Sequence, residues 1–237
     1  MTHRFSLEGQ VAIVTGASRG LGYEMARAIG ESGAKVYLTA RGVERLEAVV
    51  ARLRDEGIDA VALPFDLADS QACLAAVEEV TTADGRLDIL VNNAGINAWE
   101  PLHEATVETW DRVFRTNVNA TYLLCREAAR HMRKAGYGRI INIGSALAVV
   151  GRENVTAYTA SKHGVAGMTR ALAAELGPDG VTVNMMAPGY FTTEINEPIL
   201  AKPGYERGVS NRIPLNRWGE PEEAGGVVAF MASRASG

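Results

Sequence analysis

The amino-acid sequence predicts an α/β protein built on a parallel, doubly wound sheet with helices on both faces, and three observations carry that prediction. Short apolar runs rich in β-branched residues alternate with longer segments of helical period, the signature of successive βαβ units. The runs are nearly continuous in apolar character, as expected of strands covered on both faces. The 237 residues are 47% hydrophobic, enough to bury one full core, and α/β chains of this length commonly stay undivided, so 1–237 reads as a single domain.

The strands read, in order, as VAIVT from Val11, KVYLTA from Lys35, DAVALPF from Asp59, DILVN from Asp88, RIINIG from Arg139 and VTVNMMA from Val181. Helices fall near 21–32, 43–56, 70–83, 106–135 and 157–177, and a last one begins after Pro221 with Ala224, Val227, Val228 and Met231 on its apolar positions. Right-handed crossovers then wind the sheet in both directions from its middle. One long irregular segment, from about Gly189 to Pro221, holds Pro198, Pro203, Pro214 and Pro221; a loop of that length reads as a lid or binding segment.

Composition removes several classes of function. Charged residues make up 22% with a formal net charge of −4 and no basic block, so the electrostatic footprint of a nucleic-acid binder is missing. No apolar run reaches bilayer length, and MTHRFSLEGQ has neither an apolar signal region nor a cleavage-like site, so the expectation is a cytoplasmic protein. Cys73 and Cys125 lie far apart in apolar helical surroundings and read as reduced core residues. None of His3, His103, His131 and His163 shows ligand spacing with a carboxylate or cysteine, so no catalytic metal is expected.

Chemistry first appears after the opening strand, in TGASRGLG. Gly16, Gly20 and Gly22, with Ser18, Arg19 and Leu21 between them, lead from strand into helix, where glycine permits a tight turn and the helix N-terminus favours a pyrophosphate. The spacing GxxxGxG differs from the commoner GxGxxG, and without a following GK[ST] it is no P-loop. An NAD reader places an acid near the end of the second strand to hold the ribose 2′-hydroxyl. Here Ala40 and Arg41 stand there, leaving room for a 2′-phosphate that Arg41 and Arg19 can clamp, so NADP(H) is expected over NAD(H). Asp66, followed by Leu67, either meets the adenine edge or serves a turn or cap with Asp69. NNAG, with Asn93, Ala94 and Gly95, closes the fourth strand at the switch point, where it either supports a cofactor or only caps the strand end.

Tyr158 and Lys162 stand four apart at a helix start, hence one turn apart on one face. Tyrosine titrates near pH 10, about three units too high for a base at neutral pH, and a neighbouring ammonium is expected to lower that value. Ser145 ends the fifth strand and can hydrogen-bond a substrate oxygen from the same rim, or merely satisfy a strand end. His163 is turned away from the Tyr158 face.

Together TGASRGLG, NNAG, Asn117 within RTNVNA, Ser145, the YTASK of Tyr158 to Lys162, and Pro188–Gly189 resemble the short-chain dehydrogenase/reductase family over essentially the whole chain. That resemblance implies a Rossmann-type oxidoreductase in which Tyr158 is the catalytic acid/base. It implies that Lys162 binds the nicotinamide ribose and lowers the tyrosine pKa, that Ser145 orients the substrate oxygen, and that Asn117 supports a proton-relay water. It places Pro188, Gly189 and Thr193 beside the cofactor, and implies pairing into a homotetramer or homodimer through the helices near 106–135 and 157–177. The small residues Ala160, Gly164, Gly167 and Ala171 suit such an approach. Family members normally add a final strand and a glycine-containing tail, which a sequence reaching only Ala235, Ser236 and Gly237 lacks.

The expected reaction interconverts a secondary alcohol and a ketone. GLGYEMARAI, PGYFTTEIN and PLNRWGEPEE resemble the gluconate 5-dehydrogenase group, while much of the remainder fits a 3-oxoacyl-acyl-carrier-protein reductase, for which a basic patch from Arg126, Arg130, Arg133 and Lys134 beside the cleft would speak. Trp99, Arg152, Asn154, Tyr190 and Glu194 are candidate pocket residues. A non-catalytic dinucleotide sensor is the reading from another class; its usual sign, a damaged serine, tyrosine or lysine, is missing.

Overall fold

Six parallel strands form one sheet in a computed structural model that describes residues 4–194 and 205–237. In chain order they are β1 (Val11–Thr15), β2 (Lys35–Thr39), β3 (Ala60–Ala62), β4 (Ile89–Asn92), β5 (Gly138–Ile143) and β6 (Val181–Met186). Their spatial order is β3-β2-β1-β4-β5-β6, and every adjacent pair is parallel. The winding reverses between β1 and β4, so the loops leaving the carboxyl ends of these two strands diverge and open a crevice there.

Burial follows from this order. All residues of β1, β4 and β5 are buried, whereas the edge strand β6 alternates with half-buried positions. The seven-residue run expected for β3 is regular over three residues only. Leu63 and Phe65 still bond the backbone of Leu38 and Ala40, but Pro64 between them has no N–H to give.

Helices α1 (Gly20–Glu31), α2 (Val43–Asp55) and α8 (Pro221–Ala232) cover one face, burying Met25, Ile29, Leu46, Val50, Leu53 and Val228. On the other face α3 (Ser70–Asp84), α5 (Ala120–Ala135) and α6 (Thr156–Leu176) bury Val77, Val80, Leu124, Met132 and Leu176. Cys73 and Cys125 are free and buried in this second layer, as expected; burial pushes their thiols up, to about 11 and about 12.

Two expectations are corrected. The stretch 106–135 is not one helix: α4 (Val107–Phe114) passes through a π-helical turn, Arg115–Asn119, into α5. The segment 189–221 is not irregular throughout. Phe191 bridges to Gly219, helix α7 (Tyr205–Ser210) lies within it, Trp218 is buried, and Pro221 is the first residue of α8 behind a Glu220/Glu223 capping box. Pro198 and Pro203 lie outside the described residues, as does His3.

Candidate active site

The glycine turn is shaped by close backbone approach. Gly16 has φ +65°, and a Cβ on Gly22 would stand 2.3 Å from the Gly16 carbonyl oxygen, so a side chain at position 22 would force the turn apart. NNAG braces it: Asn93 Nδ2 donates to the Thr15 carbonyl at 2.9 Å, and the backbone N–H groups of Asn93 and Ala94 both reach Thr15 Oγ1 at 3.0 Å. The polar groups of Asn93 thus hold the end of β1. Leu21 packs into the core beneath the turn, and Thr193 passes above it, 3.5 Å from where a Cβ on Gly20 would lie.

At the end of β2 the basic groups are arranged differently from the expected Arg41 and Arg19 pair. Arg19 Nη1 meets Glu194 Oε2 at 3.1 Å, and the second oxygen of that carboxylate is held by Arg45. Arg45 Nε also donates to the Ser18 carbonyl at 3.2 Å. Together the Arg45 and Arg19 guanidiniums hold the Glu194 carboxyl below its ordinary range. Arg41 stands further out, 4.0 Å from Asp66. Arg45, in the first turn of α2 and four positions after Arg41, is the residue sequence reasoning missed. Glu194, expected in the substrate pocket, belongs to this end instead. For Asp66 the turn role is the one seen, its carboxylate accepting from the Ala68 N–H at 2.9 Å, while Asp69 caps α3. Leu67 packs against the second core layer.

The reactive pair lies over β5. Ser145 follows that strand, its hydroxyl capping a short 3-10 turn through the Leu147 N–H at 3.1 Å. Pro188, at the end of β6, is tied alongside by Ala146 N–H to Pro188 carbonyl at 3.0 Å, and Gly189 continues outward. Lys162, 5% exposed, donates from Nζ to the Ile143 carbonyl at 2.7 Å and stands 5.6 Å from the Tyr158 ring centroid. Its burial pulls its pKa down to about 8. The expectation that Lys162 lowers the tyrosine is not met. Burial raises the Tyr158 pKa, and only the hydrogen bond with Ser145 pulls it back. One N–H of the ammonium goes to a backbone carbonyl, and the group lies over the Tyr158 ring.

Asn117 sits in the π-helical turn, whose extra residue per turn rotates it inward. Its Oδ1 accepts from the Ile96 N–H at 2.8 Å, and its amide donates to the Ile96 carbonyl at 2.9 Å and to Ser161 Oγ at 3.0 Å. Both amide hydrogens are therefore committed, and the side chain pins the loop after β4 to the helix of Tyr158. Its partner Ser161, fully buried, carried no signal in the sequence.

Beside this pair the outer rim gathers three loops. Arg152 stacks over Trp99 at 4.7 Å and donates to the Tyr190 hydroxyl at 3.1 Å, while Tyr190 packs on Trp218 at 5.0 Å between centroids. Asn154, at φ +60°, offers its carbonyl to the Glu100 N–H at 2.8 Å.

The described histidines stay out of the site. His163 is exposed with Nδ1 3.0 Å from the Thr159 carbonyl, and His103 meets Glu104 at 3.5 Å. The reading of ligand spacing is corrected at one place: Glu127 and His131, four apart on α5, join Glu78 of α3 with ligand atoms all within 4.8 Å. Glu127 there is already neutralised by Arg130 at 3.0 Å and Arg126 at 3.8 Å.

Residues 10–204, which carry the glycine turn, the NNAG brace and the Ser–Tyr–Lys set, match the short chain dehydrogenase family. The chain belongs to that family. It is 39% identical to the gluconate 5-dehydrogenase of Gluconobacter oxydans over 98% of this chain and 91% of that one. To a 3-oxoacyl-[acyl-carrier-protein] reductase of Pseudomonas aeruginosa it is also 39% identical, over 96% and 92%. A solved gluconate 5-dehydrogenase from Burkholderia cenocepacia, in complex with NADP and tartrate, superposes with a TM-score of 0.94 at 36% identity, covering 98% of this chain and 91% of that one. The protein is an oxidoreductase of alcohols and ketones with a Rossmann-type sheet.

Proposed function

We propose that the chain, acting as one catalytic domain over 1–237, uses NADP(H) in preference to NAD(H) to interconvert a keto-aldonate and the corresponding hydroxy acid. The observation that carries the chemistry is the Ser145–Tyr158–Lys162 set, with Lys162 buried and Ser145 and Tyr158 half-buried, on the same edge as a glycine turn that admits no side chain at Gly22. The bound dinucleotide supplies or accepts the hydride. Gly16, Ser18, Gly20, Leu21 and Gly22 bring backbone to its pyrophosphate, and Arg19, Arg41 and Arg45 offer charge to a 2′-phosphate. Asp66, Leu67, Asn93, Ala94 and Gly95 shape the adenosine side and the crevice, and Pro188, Gly189 and Thr193 line the nicotinamide side.

In the direction of reduction, Ser145 donates a hydrogen bond to the substrate carbonyl and Tyr158 gives that oxygen its proton. A tyrosine whose pKa is raised stays protonated at neutral pH, which suits the acid. Lys162, largely charged below about 8, binds the ribose hydroxyls and offsets the phenolate left behind. Asn117 keeps this helix registered against the β4 loop.

Relatives named for acting on gluconate and its keto derivatives support the sugar-acid reading, and so does the tartrate in the Burkholderia cenocepacia structure, itself a hydroxy carboxylate. Sequence identity alone does not separate this from a carrier-protein substrate, and the charge distribution favours the sugar acid. Arg126 and Arg130 are paired with Glu127, and Arg133 meets Asp179 at 2.7 Å, just before β6 begins and hence toward the amino edge of the sheet. The cleft opens at the other edge, so these residues make no basic patch beside it. NADPH oxidation across keto-aldonates, uncharged keto-sugars and 3-oxoacyl thioesters tests the proposal: kcat/KM should be highest for a keto-aldonate and lower with NADH. A thioester as best substrate would overturn it.

The protein is further proposed to be a cytoplasmic homotetramer. No described helix is long and apolar enough to cross a membrane. Gly164, Gly167, Ala171 and Ala174 face outward from α6, open to a partner rather than packed on their own sheet. Light scattering should return four times the 25.3 kDa chain mass.

A further inference from the structure

Two sets of arginines on the carboxyl edge are kept apart by the sheet. Arg19, Arg41 and Arg45 gather at the end of β2, while Arg152 stands in the loop after β5, with β1 and β4 between those strands. A cofactor phosphate and a substrate carboxylate therefore have separate destinations.

Arg152 sits at the midpoint of the loop that leaves β5 at Ser145 and returns to the edge at Tyr158, so it belongs to the same loop as the two groups that meet the reacting carbonyl. Its guanidinium is oriented by contacts from the two neighbouring loops: the Trp99 ring at 4.7 Å, from the loop after β4, and the Tyr190 hydroxyl at 3.1 Å, from the segment after β6. The backbone bond from Glu100 N–H to the Asn154 carbonyl, 2.8 Å, ties the Arg152 loop to the Trp99 loop. Tyr190 in turn rests on the buried Trp218. Both aromatic partners keep part of their surface open to solvent, 44% for Trp99 and 37% for Tyr190. A planar fork stacked on one ring and bonded by a second is the arrangement that receives a carboxylate with two parallel hydrogen bonds, at reduced entropic cost because it is already placed.

We propose that Arg152 binds the carboxylate of the substrate, with Trp99 and Tyr190 as the walls that orient it, and that it selects sugar acids over uncharged polyols and ketoses. The inference rests on the keto-aldonate reading above. Arg152 takes no part in the proton or hydride transfer; it fixes which end of the substrate chain points away from Tyr158.

The test is calorimetric binding to the NADP-saturated protein of D-gluconate and of D-glucitol, the same carbon chain without the carboxylate. The wild type should prefer gluconate, and Arg152→Gln should weaken gluconate by about thirtyfold, as for loss of charge-assisted hydrogen bonds, while leaving glucitol and NADPH affinity unchanged. Arg152→Lys, which keeps the charge but not the fork, should recover only part of the preference. In turnover the same variants should raise KM for 5-keto-D-gluconate far more than they lower kcat. An Arg152→Gln protein that reduces 5-keto-D-gluconate with the wild-type KM overturns this inference alone. A wild type that binds gluconate no better than glucitol and reduces no keto-aldonate overturns the substrate reading and this inference with it.

Discussion

The two ends of the carboxyl edge handle charge in opposite ways. At the end of β2, Arg19, Arg45 and Glu194 are 47%, 50% and 42% exposed, and their ion pairs can be exchanged for a ligand's charge at little desolvation cost. Over β5, Lys162 and Asn117 are buried, each polar atom has a specific protein partner, and the surroundings move pKa values. Binding a phosphate needs accessible cations. Moving a proton needs groups withdrawn from water.

The largest effect that sharpens this contrast is on the buried end. Tyr158→Phe removes only the transferable proton, so turnover should fall by about a thousandfold, within the usual range for a lost general acid. NADPH affinity by fluorescence should be unchanged. Retention of even a tenth of the activity would remove Tyr158 from the proton transfer.

At the exposed end, Arg19→Ala with Arg45→Ala should weaken NADPH by on the order of a hundredfold if each charge-assisted contact is worth about 1.5 kcal/mol. NADH should be much less affected, since it lacks the 2′-phosphate. Equal losses for both cofactors would show the arginines acting through the fold instead of through the 2′-phosphate.

Asn117→Ala should cost about 2 kcal/mol of stability in urea titrations, because it orphans backbone groups of Ile96 in a buried place. A loss of activity without any loss of stability would mean that Asn117 touches the reaction directly.

The smallest effect concerns Lys162. Its pKa falls from 10.5 to about 8 on folding, so the folded state disfavours the charged form, a penalty of roughly 3 kcal/mol that is fully present below pH 8. The penalty fades as pH rises from about 8 to 10.5, where the unfolded lysine also loses its proton. Lys162→Met removes it but leaves the Ile143 carbonyl without a donor, so the variant should gain about 1 kcal/mol below pH 8 and lose that gain toward pH 10.5. The same variant should bind NADPH poorly. A stability difference that grows with pH would contradict the buried-ammonium account.

The two ends also differed in how far they could be read from sequence. The doubly wound sheet, the glycine turn and the grouping of Tyr158, Lys162 and Ser145 on one edge were legible because they depend on local spacing and on winding rules. Arg45 was overlooked, and Glu194 misplaced, because their meeting joins a helix to a loop 149 residues away. Ser161 and the π-helical turn at Asn117 left no periodic trace, since one added residue in a helix changes which side chain faces inward without changing composition. The pKa of Tyr158 was expected to fall because the sequence shows a lysine one turn away and cannot show how far burial raises the tyrosine.

The account stands most directly on where the hydride goes. NADPH carrying deuterium at the transferable position of its nicotinamide should be incubated with the protein and 5-keto-D-gluconate, and the product read by mass spectrometry and NMR. The predicted product is a hydroxy acid with a single deuterium on the carbon that had been the C5 carbonyl. NADPH consumption with no deuterium on that carbon, or no hydroxy acid formed, would contradict it.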